Sequence, residues 1–440
     1  MQKSLIAVLF ASAFLSLDAQ AVDLVQVYQQ AMANDAQFGS ARAALAVGKE
    51  RVPQGRAGLL PSIGLSGSNS RDSVEFTPDS APARARSSGN SNVYTLSLSQ
   101  PLFRWANWQQ YEQSKLAQAA SEAAFAQAQQ DLITRVAQAY FDVLAAQDTL
   151  ASTQSQKVAT TEQLASAKRN FEVGTQTITD THEAQAAYDL VAAQEFAALN
   201  DLENKRTALQ TIIGREPGAL ATLKPGVAIA APNPAVIDPW VASAEQQNYG
   251  VIGAQLNLES AKRDIARNRA GHYPTLDLLA NARRSSSGAS STGANGTANS
   301  NSIGISWNVP IFNGFGVTSR VRESIALEDK ARNDLETAKR NAAQGARLSY
   351  LGVNSGLAQV KALEAAEVSS QSALESNKLG YQVGVRINID VLNAQKQLFS
   401  TRKDLSKARY DTIINGLRLK SAAGTLKEAD LAPVNDLLVK

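Results

Sequence analysis

Few residues in this chain are equipped for chemistry. There are no cysteines and only two histidines, His182 and His272, on different stretches. A thiolate or histidine metal site, a disulfide framework and a Ser-His-Asp triad all lack raw material. The stretch "STRK" (400–403) has the Ser-x-x-Lys spacing in which a lysine can activate a serine, but it falls inside a helical pattern without companion motifs. "GFGVTS" (314–319) resembles a shortened glycine loop, yet no phosphate-binding Lys follows it and aromatic residues surround it. What remains is a motif that occurs twice, "FEVGTQTITDTHEAQ" (171–185) and "YQVGVRINIDVLNAQ" (381–395). Each copy has a glycine, Gly174 or Gly384, suited to end a helix at positive φ, and an acid six residues later, Asp180 or Asp390. An acid at an exposed helical turn is usually just solvated, so the repetition is what calls for an explanation.

The repeat extends well beyond the motif. At the same 210-residue offset Tyr140 matches Tyr350, Gln185 matches Gln395, Leu209 matches Leu419 and Gly214 matches Gly424. The chain is a tandem duplication. Further upstream the offset drifts, with Pro101 facing Pro310 and Pro61 facing Pro274. The first repeat is assigned to 22–214 and the second to 240–424, joined by a connector (215–239) that is rich in proline and followed by a tail (425–440). Ahead of them, Lys3, an apolar run over 5–17 and "AQA" ending at Ala21 read as a secretory signal, 1–21.

Each half predicts an incoming helix, a strand pair, a long helix and a return helix. The strand pairs, 61–100 and 274–309, alternate apolar and small polar residues, with Tyr94, Leu96 and Leu98 or Ile303, Ile305 and Trp307 at every second position. Each strand of eight or nine residues is close to the length that crosses a bilayer when tilted. The segments 70–92 and 283–301, rich in Ser, Gly and Asn, are expected to be solvated loops. Pro61, Pro101, Pro274 and Pro310 mark the junctions between strand and helix. Aromatics gather beside them, among them Trp105, Trp108, Tyr273, Phe312 and Phe315, as a membrane girdle or as ordinary core residues at a helix start.

The long helices, 106–172 and 316–382, are each roughly 100 Å at 1.5 Å per residue. Such helices need coiled-coil partners, and a 3,4-spaced seam is visible at Ile133, Val136, Tyr140 and Val143, and at Ala346, Tyr350, Val353 and Val360. Toward the duplicated motif the seam turns polar, at Gln154, Lys157 and Thr161 or Glu364, Glu367 and Gln371. The incoming helices, 22–52 and 240–269, are each expected to be continuous.

A balance of 43 basic against 40 acidic residues does not argue for nucleic acid. No later segment has the 18 or more apolar residues of a spanning helix, so any span must be made of strands. Four strands cannot close a barrel, and open edges are not tolerated in lipid. Eight strands fill their own interior, which makes twelve strands from three chains the smaller solution with an open lumen.

The stretch 381–431, its repeat partner and the "VPIFNGF" junction (309–315) resemble the TolC-type outer membrane channels of Gram-negative bacteria. The resemblance covers the mature chain. It implies a mainly α protein with membrane β: a homotrimer whose twelve-strand β-barrel, in contact with outer membrane lipid, continues into a twelve-helix α-barrel in the periplasm. It implies no cofactor, metal or enzymatic activity. The implied partners are a periplasmic adaptor and an inner-membrane pump of RND, ABC or MFS type. The implied exit duct serves efflux, type I protein secretion or both; a passive pore or a coiled-coil stalk is the alternative. By resemblance Asp390 forms an acidic constriction ring, while a second ring falls on the uncharged Asn393, which weakens the field on multivalent cations. By resemblance, too, the gate links are Asp180 with Tyr381 and Thr179 with Arg386. Replacing Tyr381 by Phe and Arg386 by Ser is then expected to raise conductance.

Overall fold

The computed structural model describes residues 21–77, 85–288 and 296–439. The signal segment therefore lies outside the described residues, apart from Ala21, as do the centres of both segments expected to be loops. Two compact units are present, one of Met1–Ser40, Ala128–Ala244 and Ala343–Lys440, the other of Ala41–Gln127 and Glu245–Ala342.

The second unit holds a four-stranded antiparallel sheet, β1 (Ser62–Phe76), β2 (Ala85–Phe103), β3 (Thr275–Ser287) and β4 (Gly296–Asn308), in chain order. Directly paired residues share a face, and the register puts Ile63 against Leu98, Leu98 against Ala280 and Ala280 against Ile303. The same face carries Leu65, Leu96, Leu278, Ile305 and Trp307, while the other carries Ser62, Ser97, Ser99, Asn281 and Ser302. Ile63, Leu65, Ile303, Ile305 and Trp307 are all exposed. Within the chain β1 and β4 each pair on one side only.

Three expectations are corrected here. The strands run on through 70–76, 85–92, 283–287 and 296–301, where solvated loops are expected from composition. The ladder is made by backbone groups and continues where its side chains turn polar, so alternation marks only the apolar part. Pro101 lies inside β2 and not at its end, opposite Asp277 at a register irregularity, where a missing N–H is tolerated. Pro61 and Pro274 stand directly before β1 and β3, and Pro310 follows β4. The incoming helices are interrupted, giving α1 (Leu24–Asn34), α2 (Ala36–Lys49) and α3 (Arg51–Ala57) in one repeat, and α6 (Asp238–Gln247) and α7 (Tyr249–Arg269) in the other. At two of the three breaks a side chain caps the next helix, Asp35 accepting from Phe38 N at 2.8 Å and Asn248 from Gly250 N at 2.9 Å, whereas Glu50 between α2 and α3 makes no such bond. A short polar side chain that offers the backbone an N-cap competes with helix continuation.

At the sheet's polar face Arg104 makes a two-pronged pair with Asp277, 2.8 and 2.7 Å, tying the end of β2 to β3 across the repeat boundary. Near the following junction Phe312 and Phe315 stack edge to face with centroids 5.4 Å apart. Both are exposed, as is Ile311.

In the first unit helices dominate, two of which, the long ones, begin in the second. α4 (Trp105–Glu172, 68 residues) and α8 (Gly316–Gln382, 67 residues) are followed by α5 (Ile178–Ile213) and α9 (Asn388–Ala422). The seam residues Ile133, Val136, Tyr140, Val143, Ala346, Tyr350, Val353 and Val360 are buried. Val360 packs with Leu405 and Ala408 of α9, and Leu374 packs with Val391 and Leu398. Where the seam is polar, cross-helix pairs replace apolar contact: Lys157 with Glu195 at 2.6 Å, Arg409 with Glu364 at 2.7 Å and Arg402 with Glu367 at 2.9 Å.

The duplicated tyrosines clamp the segment between the repeats. Tyr140 donates to the Ala221 carbonyl at 2.7 Å and Tyr350 to the Ala235 carbonyl at 2.5 Å. Burial pushes the Tyr140 phenol upward, so it stays a neutral donor. The connector also bridges the chain ends, with Val22 paired to Leu220 and Leu223 to Leu438. Asn435, on the short helix α10 (Leu431–Asn435), accepts from Leu24 N at 3.0 Å.

Candidate functional site

The duplicated motifs form the turns between α4 and α5 and between α8 and α9. Both are Schellman ends built around a left-handed glycine, Gly174 at φ 78° and Gly384 at φ 77°. In the first, Thr175 N and Gly174 N donate to the carbonyls of Asn170 and Phe171; in the second, Val385 N and Gly384 N donate to those of Gly380 and Tyr381.

The following helix starts differ. Thr177 caps α5, and Asp180 completes a capping box: its carboxylate accepts from Thr177 N at 3.1 Å and from Thr177 Oγ1 at 2.7 Å. The equivalent cap of α9 is Ile387, which has no side chain able to accept. Asp390 is thereby released from capping and takes Arg386 Nη1 at 3.7 Å, with the two side chains 34% and 58% exposed.

The links between the turns are not those implied by the resemblance. Asp180 is occupied by Thr177, and the Tyr381 hydroxyl instead accepts from Gln176 Nε2 at 2.5 Å. Arg386 pairs within its own turn, and Thr179 makes no side-chain hydrogen bond among the described residues. Asn393 is exposed and Asp390 half-buried on the same helix start. Three residues that sequence reasoning passes over do the joining. Asn388, fully buried, accepts from Gln163 Nε2 of α4 and donates through Nδ2 to the Asp180 carbonyl of α5 at 3.2 Å. Gln176 is the third. The signal is present in the repeat itself, because Asn388 stands where the first copy has Ile178, and Gln176 stands where the second has Arg386.

Among the described residues no cluster of His, Asp and Glu could hold a metal, and no helix is long and apolar enough to cross a membrane. The chain thus combines a sheet with one exposed apolar face and unpaired outer edges with long helices that end in polar hairpin turns. The sequence profile of the outer membrane efflux protein family matches residues 27–215 and 240–425, one stretch per repeat. The chain belongs to that family and is an outer membrane protein. It is 34% identical over 98% of its length to the outer membrane protein TolC of Escherichia coli, covering 87% of that protein. It is 31% identical to the alkaline protease secretion protein AprF of Pseudomonas aeruginosa, over 94% of this chain and 87% of that one. The fold matches the CmeC outer membrane channel of Campylobacter jejuni with a TM-score of 0.80 at 18% identity, over 96% of this chain and 90% of that one.

Proposed function

We propose that this chain is one third of a gated exit duct through which a periplasmic adaptor and an inner-membrane pump discharge cargo to the outside. The observation that carries the reading is the sheet. Its outward face is apolar and exposed, and β1 and β4 each keep an unpaired edge within the chain. Neither is stable in lipid unless further copies close the sheet, since each unpaired backbone group costs several kcal/mol there. Three copies supply twelve strands and leave a lumen. The duplication then sets six hairpin turns about the axis, with Asp390 of each copy as the acidic constriction and Asn393 beside it as its uncharged neighbour.

The exit-duct reading, with its cargo of drugs or proteins, is tested by deleting the protein and following dye efflux and the secreted proteome in parallel. Retention of dye or loss of a secreted protein is expected. If neither changes while uptake of small solutes falls, the protein is a passive pore.

A further inference from the structure

β3 carries two arginines in succession, and successive residues of a strand point to opposite faces. Arg284 stands directly beside Tyr94 and shares the outward face, whereas Arg283 stands between Thr95 and Ser300 on the polar face. Because the strands run on through 283–287, Arg283 belongs to the wall of the sheet and not to a loop. Its side chain is exposed and makes no hydrogen bond or ion pair among the described residues. The polar face of the described strands has two other charges, and both lie far from it. Asp277, about 20 Å away along β3, is neutralised by its two-pronged pair with Arg104. Asp72, about as far in the other direction on β1, accepts from Ser70 Oγ at 3.2 Å.

We propose that Arg283 of three copies forms a ring of positive charge in the barrel lumen that favours anions over cations in passage. The proposal rests on the three-copy channel given above. A ring of basic side chains on a pore wall selects anions by its field. The row across the sheet is Ser66, Thr95, Arg283 and Ser300, so no carboxylate at that level of the wall cancels the charge. The duplication shows that the charge belongs to one half of the chain. At the offset that aligns Pro61 with Pro274, Arg284 matches Arg71, but Arg283 matches Ser70. The outward arginine is common to both repeats and the lumenal one is present in the second alone, which gives three charges around the axis and not six.

The test is the reversal potential of the full-length protein in planar bilayers under a potassium chloride gradient, with Arg283→Ser, which gives the position the serine of the first repeat, and with Arg283→Gln. Each variant is expected to lower the anion-to-cation permeability ratio by about two- to fivefold near 0.1 M salt. The difference should fade toward 1 M, where the screening length falls to about 3 Å. Arg283→Lys keeps the charge and is expected to stay near wild type. Arg284→Ser, one residue away on the opposite face, is expected to leave the ratio unchanged. Should Arg283→Ser fail to insert, Arg283→Gln supplies the same readout. Conducting channels whose ratio is unchanged in the neutral variants, or shifted as much by Arg284→Ser, overturn the ring and leave the channel reading intact. Wild-type protein that gives no conductance removes the channel reading, and the ring with it.

Discussion

The two hairpin turns began as one sequence and now do different work. Their helix ends are alike, each closed by a left-handed glycine with the same pair of backbone bonds. Their helix starts are not. Thr177 and Asp180 satisfy each other in the first turn, whereas Ile387 leaves α9 without a side-chain cap and Asp390 available to its surroundings. Duplication preserved the backbone device, which any copy needs in order to turn. The side chains that decide whether an acid caps its helix, as Asp180 does, or pairs with a neighbouring arginine, as Asp390 does, have diverged.

The largest effect is expected at the part the turns share. Gly174→Val and Gly384→Val place a β-branched residue at positive φ, and each should cost at least about 1–2 kcal/mol. No atom lies within 4 Å of a Cβ at either glycine, so the loss is conformational and should be equal in the two turns. Thermal unfolding of the assembled protein measures this, and markedly unequal losses would show that the two ends are not equivalent. Next in size is Thr177→Ala, which removes a cap worth about 1 kcal/mol, whereas Ile387→Ala removes none. A matched fall in melting temperature for both would contradict the capping difference. Ile387→Thr should act in the opposite sense, adding a cap worth some tenths to about 1 kcal/mol and drawing Asp390 back into a box. Weaker divalent block in that more stable variant would tie the freedom of Asp390 to the missing cap. The smallest effect is expected from Arg402→Ala in the polar seam, under about 0.5 kcal/mol for so exposed a pair.

Much of this is legible in the residues. The long helices run almost to the residue expected, because seam periodicity and glycine ends act locally and agree with each other. Alternation finds the strand pairs but underestimates their lengths: Ser286 and Asn299 carry no apolar signal and are held by backbone pairing alone. The breaks at Asp35 and Asn248 escape a reading by pattern, because a single capping side chain inside an otherwise helical stretch looks like surface. At the site, the family resemblance directs attention to the two turns, but the pairs formed there depend on three-dimensional neighbours. Asp180 engages Thr177 and the Tyr381 hydroxyl engages Gln176, and that choice of partners is invisible without geometry. Asn388 carries a readable clue, a polar residue where its repeat partner has isoleucine, whose meaning appears only when Gln163 is seen beside it.

Asp390, paired only with Arg386 of its own turn, is proposed as the acid of the pore and its repeat partner Asp180 as a helix cap, and divalent cation block in planar bilayers distinguishes these roles in one measurement. Asp390→Ala should abolish whatever block the wild-type channel shows, and Asp180→Ala should retain it while lowering thermal stability. Block that survives in Asp390→Ala, or that is lost in Asp180→Ala alone, would overturn the assignment.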